Sequence, residues 1–239
     1  MLPCIESTPN GEHIAAAERI DPDNAFGRRR GGGFEAAGDP TFFWPNGSTL
    51  RVFFLDGEQS LRERVMAAAG AWTEHANLRF RVVDSADAEI RVTFQGAENS
   101  SALGVTALDQ RDYAPGAPTM ILAEVPWATP GRVDRLARHE FGHAIGLVHE
   151  HSSPAAGIRW NKPVVYQALA GPPNYWKPEV VDSNVFHRYA AGATQFTSFD
   201  PDSVMIYGFP PSWTLDGLTY PENSELSAMD KKFARRIYP

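Results

Sequence analysis

The chain has 239 residues, enough to bury a sizeable core in one domain or in one domain split by a cleft. A formal net charge of −7 argues against the basic face of a general nucleic-acid binder, and no apolar run approaches the roughly 20 residues of a membrane span. Cys4 is the single cysteine, so no intramolecular disulfide can form and the fold rests on its core and on any metal it holds.

Residues 1–40 run through PNGEH, DPDN and RRRGGG with few large apolar side chains, and read as an N-terminal extension with one short helix around 14–20. Their start lacks a charged region followed by an apolar one, so it is not a Sec-type signal as written. The folded part, 41–239, opens on a strand at 48–55 (STLRVFFL), rich in β-branched and aromatic residues and ended by Asp56-Gly57. Ser60 and Glu63 have capping-box spacing, and Leu61, Val65, Ala68, Trp72 and Ala76 then recur at helical intervals. Short strands follow at 80–83, 88–94 and 118–125, giving a mixed α/β unit. A second helix starts near Thr129-Pro130, with proline well placed in its first turn, and runs to about Gly146. Beyond it GPPNYW, FDPDS and GFPPSW predict irregular chain, with short helices at 163–170 and 178–186. A terminal helix at 227–238 carries Leu226, Met229, Phe233 and Ile237 on one side.

Residues 139–149 read His-Glu-Phe-Gly-His-Ala-Ile-Gly-Leu-Val-His. His139 and His143, four apart on a helix, project from one face a turn apart and can converge on one ion. Gly146 can take a positive φ and turn the chain, so that His149 comes back as a third ligand. Three imidazoles leave a coordination position open for water, the arrangement of a catalytic Zn2+ site. Glu140, beside the first ligand, can serve as general base without taking a coordination position. His13, His75, His151 and His187 lack ligand spacing and read as surface or locally hydrogen-bonded residues, the turn after His149 pointing His151 away from the three ligands.

HEFGHAIGLVHE resembles the zinc motif of the metzincin proteases, and Glu150 after the third histidine is similar to the astacin family within them. Ser203-Val-Met-Ile-Tyr207 resembles the astacin methionine turn S-V-M-x-Y, and Leu226-Ser227-x-x-Asp230 the astacin C-terminal helix. The similarity covers roughly residues 44–238. It implies an α+β fold: an N-terminal half with a mixed twisted sheet and two long helices, a C-terminal half that is irregular with short helices and a terminal helix, and zinc in the cleft between. It also implies Met205 as an apolar floor under the zinc. Tyr207 is implied as a fifth ligand at rest that swings out to steady the oxyanion. The chain departs from the family in lacking its usual two disulfides and in carrying Val148 where an aromatic precedes the third histidine, and so resembles a bacterial, disulfide-free branch. Serralysins share the tyrosine, but they usually have proline after the third histidine and carry a glycine-rich calcium repeat that is missing here.

The expected activity is a zinc-dependent endopeptidase. Water on zinc has its pKa lowered, Glu140 takes its proton, and zinc with Tyr207 stabilises the developing oxyanion. The strand at 118–125 is the expected sheet edge for an extended substrate. The expected partner is a protein or peptide substrate met by a monomer, with no nucleic acid and no membrane. The alternatives are a narrow-specificity processing protease or toxin, and an inactive zinc-binding module; the intact Glu140 argues against the module, because binding zinc needs no glutamate there. The resemblance favours secretion, while a chain without disulfides also suits the cytoplasm. Residues 1–40 have the features of an inhibitory pro-segment. Cys4 resembles the cysteine switch of some bacterial relatives, in which a thiolate fills the open zinc position. Asp39, in Phe34-Glu-Ala-Ala-Gly-Asp39, resembles the F-x-G-D aspartate of other astacins with two residues inserted. The run Arg28-Arg29-Arg30-Gly31 offers a trypsin-like cleavage point.

Overall fold

A computed structural model describes residues 42–189 and 198–239, together with the backbone of Ile5 and Glu6. The expected helix at 14–20, Cys4, His13 and Asp39 lie outside the described residues.

The sheet is mixed. Strand β2 (Thr49–Phe54) lies between β3 (Arg79–Val82) and β4 (Ile90–Thr93), parallel to both, with Val52 facing Val82 on one side and Ile90 on the other. Beyond β4 come β6 (Met120–Ile121), parallel to it, and β5 (Ser100–Ser101), antiparallel to β6. The backbone of β1 (Ile5–Glu6) pairs in parallel with β5, so the order is β1-β5-β6-β4-β2-β3. Every second residue of β2 is buried, as the alternation of STLRVFFL requires of a strand covered on one face.

Helix α1 (Gln59–Thr73) buries Val65, Ala68 and Trp72 of the stripe read from its period, with Ala69 beside them; Leu61 is half-buried and Ala76 lies past the helix end. Its start differs from the expected Ser60 cap. Glu58 is the N-cap residue, and its carbonyl already accepts from the backbone N–H of Leu61 and Arg62, which places Ser60 inside the first turn. Glu63 instead accepts from Gln59 Nε2 at 2.7 Å.

Helix α2 (Pro130–Ala144) packs along α1 and carries the first two histidines. Val133, Leu136, Ala137 and Phe141 share one core with Trp72 of α1 and with Leu50, Val52, Ile90, Val92 and Met120 of the sheet. Phe141 is fully buried and meets the Phe80 ring edge-on at 4.9 Å, so truncating it costs about 3–5 kcal/mol.

The C-terminal half is loop-rich, with α3 (Lys162–Ala170) and α4 (Pro178–Val181) around a small core of Val165, Leu169, Trp176, Val181 and Val185. Helix α5 (Ala228–Ile237) then returns Phe233, Ala234 and Ile237 to the main core. Its start is a closed capping box: Ser227 Oγ accepts from the Asp230 N–H at 2.9 Å, and Asp230 Oδ2 accepts from the Ser227 N–H at 3.0 Å.

One expected strand is corrected. Of 118–125, two residues form β6 and the end turns into a short 3-10 helix, Val125–Trp127. β6 is paired on both sides, by β4 and β5, so it has no free edge for a substrate.

Among the described residues no helix is long and apolar enough to cross a membrane.

Candidate metal centre

Helix α2 ends where the motif places its glycine. Gly146 has φ 95°; its N–H donates to the His143 carbonyl at 2.8 Å, and the Leu147 N–H donates to the Gly142 carbonyl at 3.0 Å. This paired closure needs a left-handed residue, which glycine adopts without a Cβ penalty. The chain reverses, and His149 swings back beside the helix it has just left.

The Nε2 atoms of His139, His143 and His149 lie 3.1–3.3 Å from one another, and all three residues are buried. Two tautomers are fixed by their partners. His139 Nδ1 donates to the Val204 carbonyl at 2.9 Å and His143 Nδ1 donates to the Leu147 carbonyl at 2.8 Å, because a carbonyl only accepts. Their Nε2 atoms therefore carry lone pairs that face each other at 3.3 Å with no proton between them. A cation at the centre resolves that repulsion. Zn–N bonds of about 2.0–2.1 Å in tetrahedral geometry put ligand nitrogens roughly 3.3–3.4 Å apart, so the donor set fits zinc. Burial, with Arg135 nearby, pushes His149 down to about 3, and burial likewise holds His139 well below the usual range; both rings are neutral, the form that binds a metal.

Glu140 is fully buried in the same turn of α2. Met205 packs against the helix at Gly142: a Cβ there would collide with its sulfur, so glycine inside the motif allows the close approach. The turn that holds Met205 is built on Asp230, which accepts from Ser203 Oγ at 2.7 Å and from the Val204 N–H at 2.9 Å. The Val204 carbonyl in turn receives His139, so the C-terminal helix orients the first ligand through one residue. Burial pushes Asp230 up to about 6, against these hydrogen bonds, which favour its charged form. Glu150 is buried too; its N–H donates to the Met205 carbonyl at 3.1 Å, and its Oε1 accepts from the Asp200 N–H at 2.8 Å.

The Tyr207 ring stands 4.3 Å from that of His149 and 6.3 Å from that of His139, centroid to centroid. His151, expected as a surface or locally hydrogen-bonded residue pointing away from the ligands, is hydrogen-bonded but buried against them. It is not in the histidine triad, but the 3-10 turn Glu150–Ser152 buries it, stacked 5.1 Å from His149 and 4.5 Å from Tyr207, with Nε2 donating to the Asn184 carbonyl at 3.1 Å. His75 is half-buried and locally hydrogen-bonded, accepting from Arg235 at Nδ1, and His187 packs edge-on against Tyr189.

Three aromatics support the site through hydrogen bonds that the sequence reading did not give. Trp72 Nε1 donates to the Arg138 carbonyl at 2.7 Å, Trp44 Nε1 to the Ala144 carbonyl at 2.8 Å, and the Tyr238 hydroxyl to the Ile145 carbonyl at 2.6 Å. They satisfy carbonyls along and beyond the end of α2 from three distant stretches of chain, and so fix the helix that carries the site.

A solved structure of myroilysin is 38% identical over 85% of this chain and 98% of its own, with a TM-score of 0.81. The chain belongs to the astacin-like metzincins. A crystal structure of myroilysin matches over 100% of both chains at 32% identity and a TM-score of 0.61. High choriolytic enzyme 1, a hatching enzyme zinc-protease from the medaka fish Oryzias latipes, shares the fold at 17% identity, over 83% of this chain and 94% of its own, with a TM-score of 0.56. No protein-family model matches the chain, and no curated protein does. As an astacin-like metzincin with a buried three-histidine site, the chain is a zinc metalloendopeptidase.

Proposed function

We propose that this metzincin hydrolyses peptide bonds within proteins with Glu140 as its general base and Tyr207 as a contact to the developing oxyanion. The reading is carried by the convergence of three imidazole nitrogens at 3.1–3.3 Å, in the same turn of helix as a buried carboxylate. Zinc bound there supplies a Lewis acid and a water of lowered pKa. Glu140 takes the proton of the attacking water and hands it to the leaving amine. The Tyr207 hydroxyl donates to the carbonyl oxygen as charge gathers on it. Met205 supports the ligands from below and takes no part in proton transfer. The chelated protein should cleave casein slowly or not at all, and about one equivalent of zinc should restore it. Intact denatured casein after full zinc loading would overturn broad proteolysis; cutting of one protein alone would instead favour a processing enzyme.

The substrate edge moves from 118–125 to β5, which lies against α2. Its outer side is paired with the backbone of Ile5–Glu6, where an extended substrate would add as a strand. This supports residues 1–40 as a pro-segment that occupies the cleft, with Cys4, one residue before Ile5, ahead of Asp39 as the zinc-blocking group.

A further inference from the structure

Successive residues of a strand point to opposite faces of its sheet. Ile90 and Val92 of β4, with Leu50 and Val52 of β2, point into the core shared with α1 and α2. Arg91 and Arg51 therefore point to the other face, away from the helix that carries the first two histidines. There the chain from 107 to 116 roofs a cavity of about 320 Å³, whose lining includes Arg51, Arg91, Leu108, Gln110, Tyr113 and Pro115. That volume falls among clefts that take a small ligand.

The two arginines differ in their partners. Arg51 is paired, with Nη2 2.7 Å from Glu89 and Nη1 3.3 Å from Asp87. Arg91 is only 6% exposed, and its Nε and Nη1 donate to the carbonyls of Ala117 and Ala88. These acceptors are neutral, and they take two of the five guanidinium N–H groups. Among the described residues no carboxylate pairs with Arg91; Asp87 and Glu89 act on it at longer range, and burial holds it below the usual arginine range. An arginine stays charged and is rarely buried unpaired, because a desolvated charge without a counter-charge is costly. Register also sets Arg81 of β3 beside Arg51, so a further, exposed cation faces the same side. Leu108 and Pro115 give the roof an apolar wall, and Gln110 stands at its exposed rim.

We propose that this cavity binds a small organic anion, a carboxylate carried on an apolar or aromatic body, with the carboxylate on the N–H groups of Arg91 that the two carbonyls leave open. The proposal does not rest on the peptidase reading. Calorimetric titration of the zinc-loaded chain with benzoate should show saturable binding. Benzamide, of the same shape without the charge, should bind at least tenfold more weakly, the scale of a charge-assisted hydrogen bond. Arg91→Met should abolish the difference between the two. Because that variant also loses two carbonyl clamps, Gln110→Glu, at an exposed lining position, decides the matter should Arg91→Met not fold. Its added carboxylate repels the anion or takes its place on Arg91, and should weaken benzoate at least tenfold with zinc content unchanged. N-acetylphenylalanine separates two sources of the carboxylate: tighter binding than benzoate assigns the cavity to the end of a peptide chain, weaker binding to a free acid. Benzoate that binds no better than benzamide overturns the site. So does benzoate that binds equally well to Gln110→Glu, since it would then sit on the histidine-bound zinc.

Discussion

Replacing Tyr238 by Phe removes one oxygen from the penultimate residue and reaches the end of the zinc helix. The hydroxyl accepts from the Trp44 N–H at 3.2 Å and donates to the Ile145 carbonyl at 2.6 Å, all three residues being buried. Phenylalanine keeps the ring that packs 6.0 Å from Phe43, so little cavity is made. The cost is that of two buried backbone groups left without partners, about 1–3 kcal/mol each, and relaxation of the loop trims the sum to about 2–4 kcal/mol. Equilibrium urea unfolding of wild type and variant in excess chelator measures it, because bound zinc would add its own stabilisation to both. A loss below about 0.5 kcal/mol would refute the idea that this hydroxyl ties the chain terminus to the helix end.

The chelated protein should lose stability as pH falls below 6.5. His149 titrates at about 3 in the fold and near 6.5 unfolded, and His139 is lowered too, so the unfolded chain takes up protons that the native one refuses, at roughly 1 kcal/mol per pH unit for each ring. Asp230, raised to about 6, opposes this between about pH 6 and 4 without cancelling two histidines; urea midpoints that rise from pH 6.5 to 5 would contradict the sign. Tyr207→Phe should lower kcat more than it changes KM, and by less than loss of Glu140, as steady-state kinetics on one peptide will show. A change confined to KM would count against the oxyanion contact. Cutting after Arg30 should activate the chain, and Cys4→Ser should do so if the thiol is the block; equal rates for all three forms would remove the pro-segment.

The zinc site was legible because its chemistry is local. His139, Glu140, His143, Gly146 and His149 sit within eleven residues, and helix period with one left-handed turn is enough to bring them together. The stripe of α1 and the box at Ser227–Asp230 were legible for the same reason. What was not legible depends on long-range pairing. β5 is Ser-Ser, with no alternation to announce it, and only its pairing with β6 shows where the sheet continues. His151 has no ligand spacing; burial between Tyr207 and Asn184 is decided by segments more than thirty residues away. The second role of Asp230, under Val204, is likewise tertiary, although its capping role could be read in sequence.

The most direct measurement is the kcat/KM of Glu140→Ala against wild type on one unstructured peptide, with the zinc content of both proteins measured on the same samples. The account predicts about one zinc per chain in each and a loss of roughly 10² or more in the variant, the scale of a missing general base. Near-wild-type turnover by a zinc-loaded Glu140→Ala protein would contradict it.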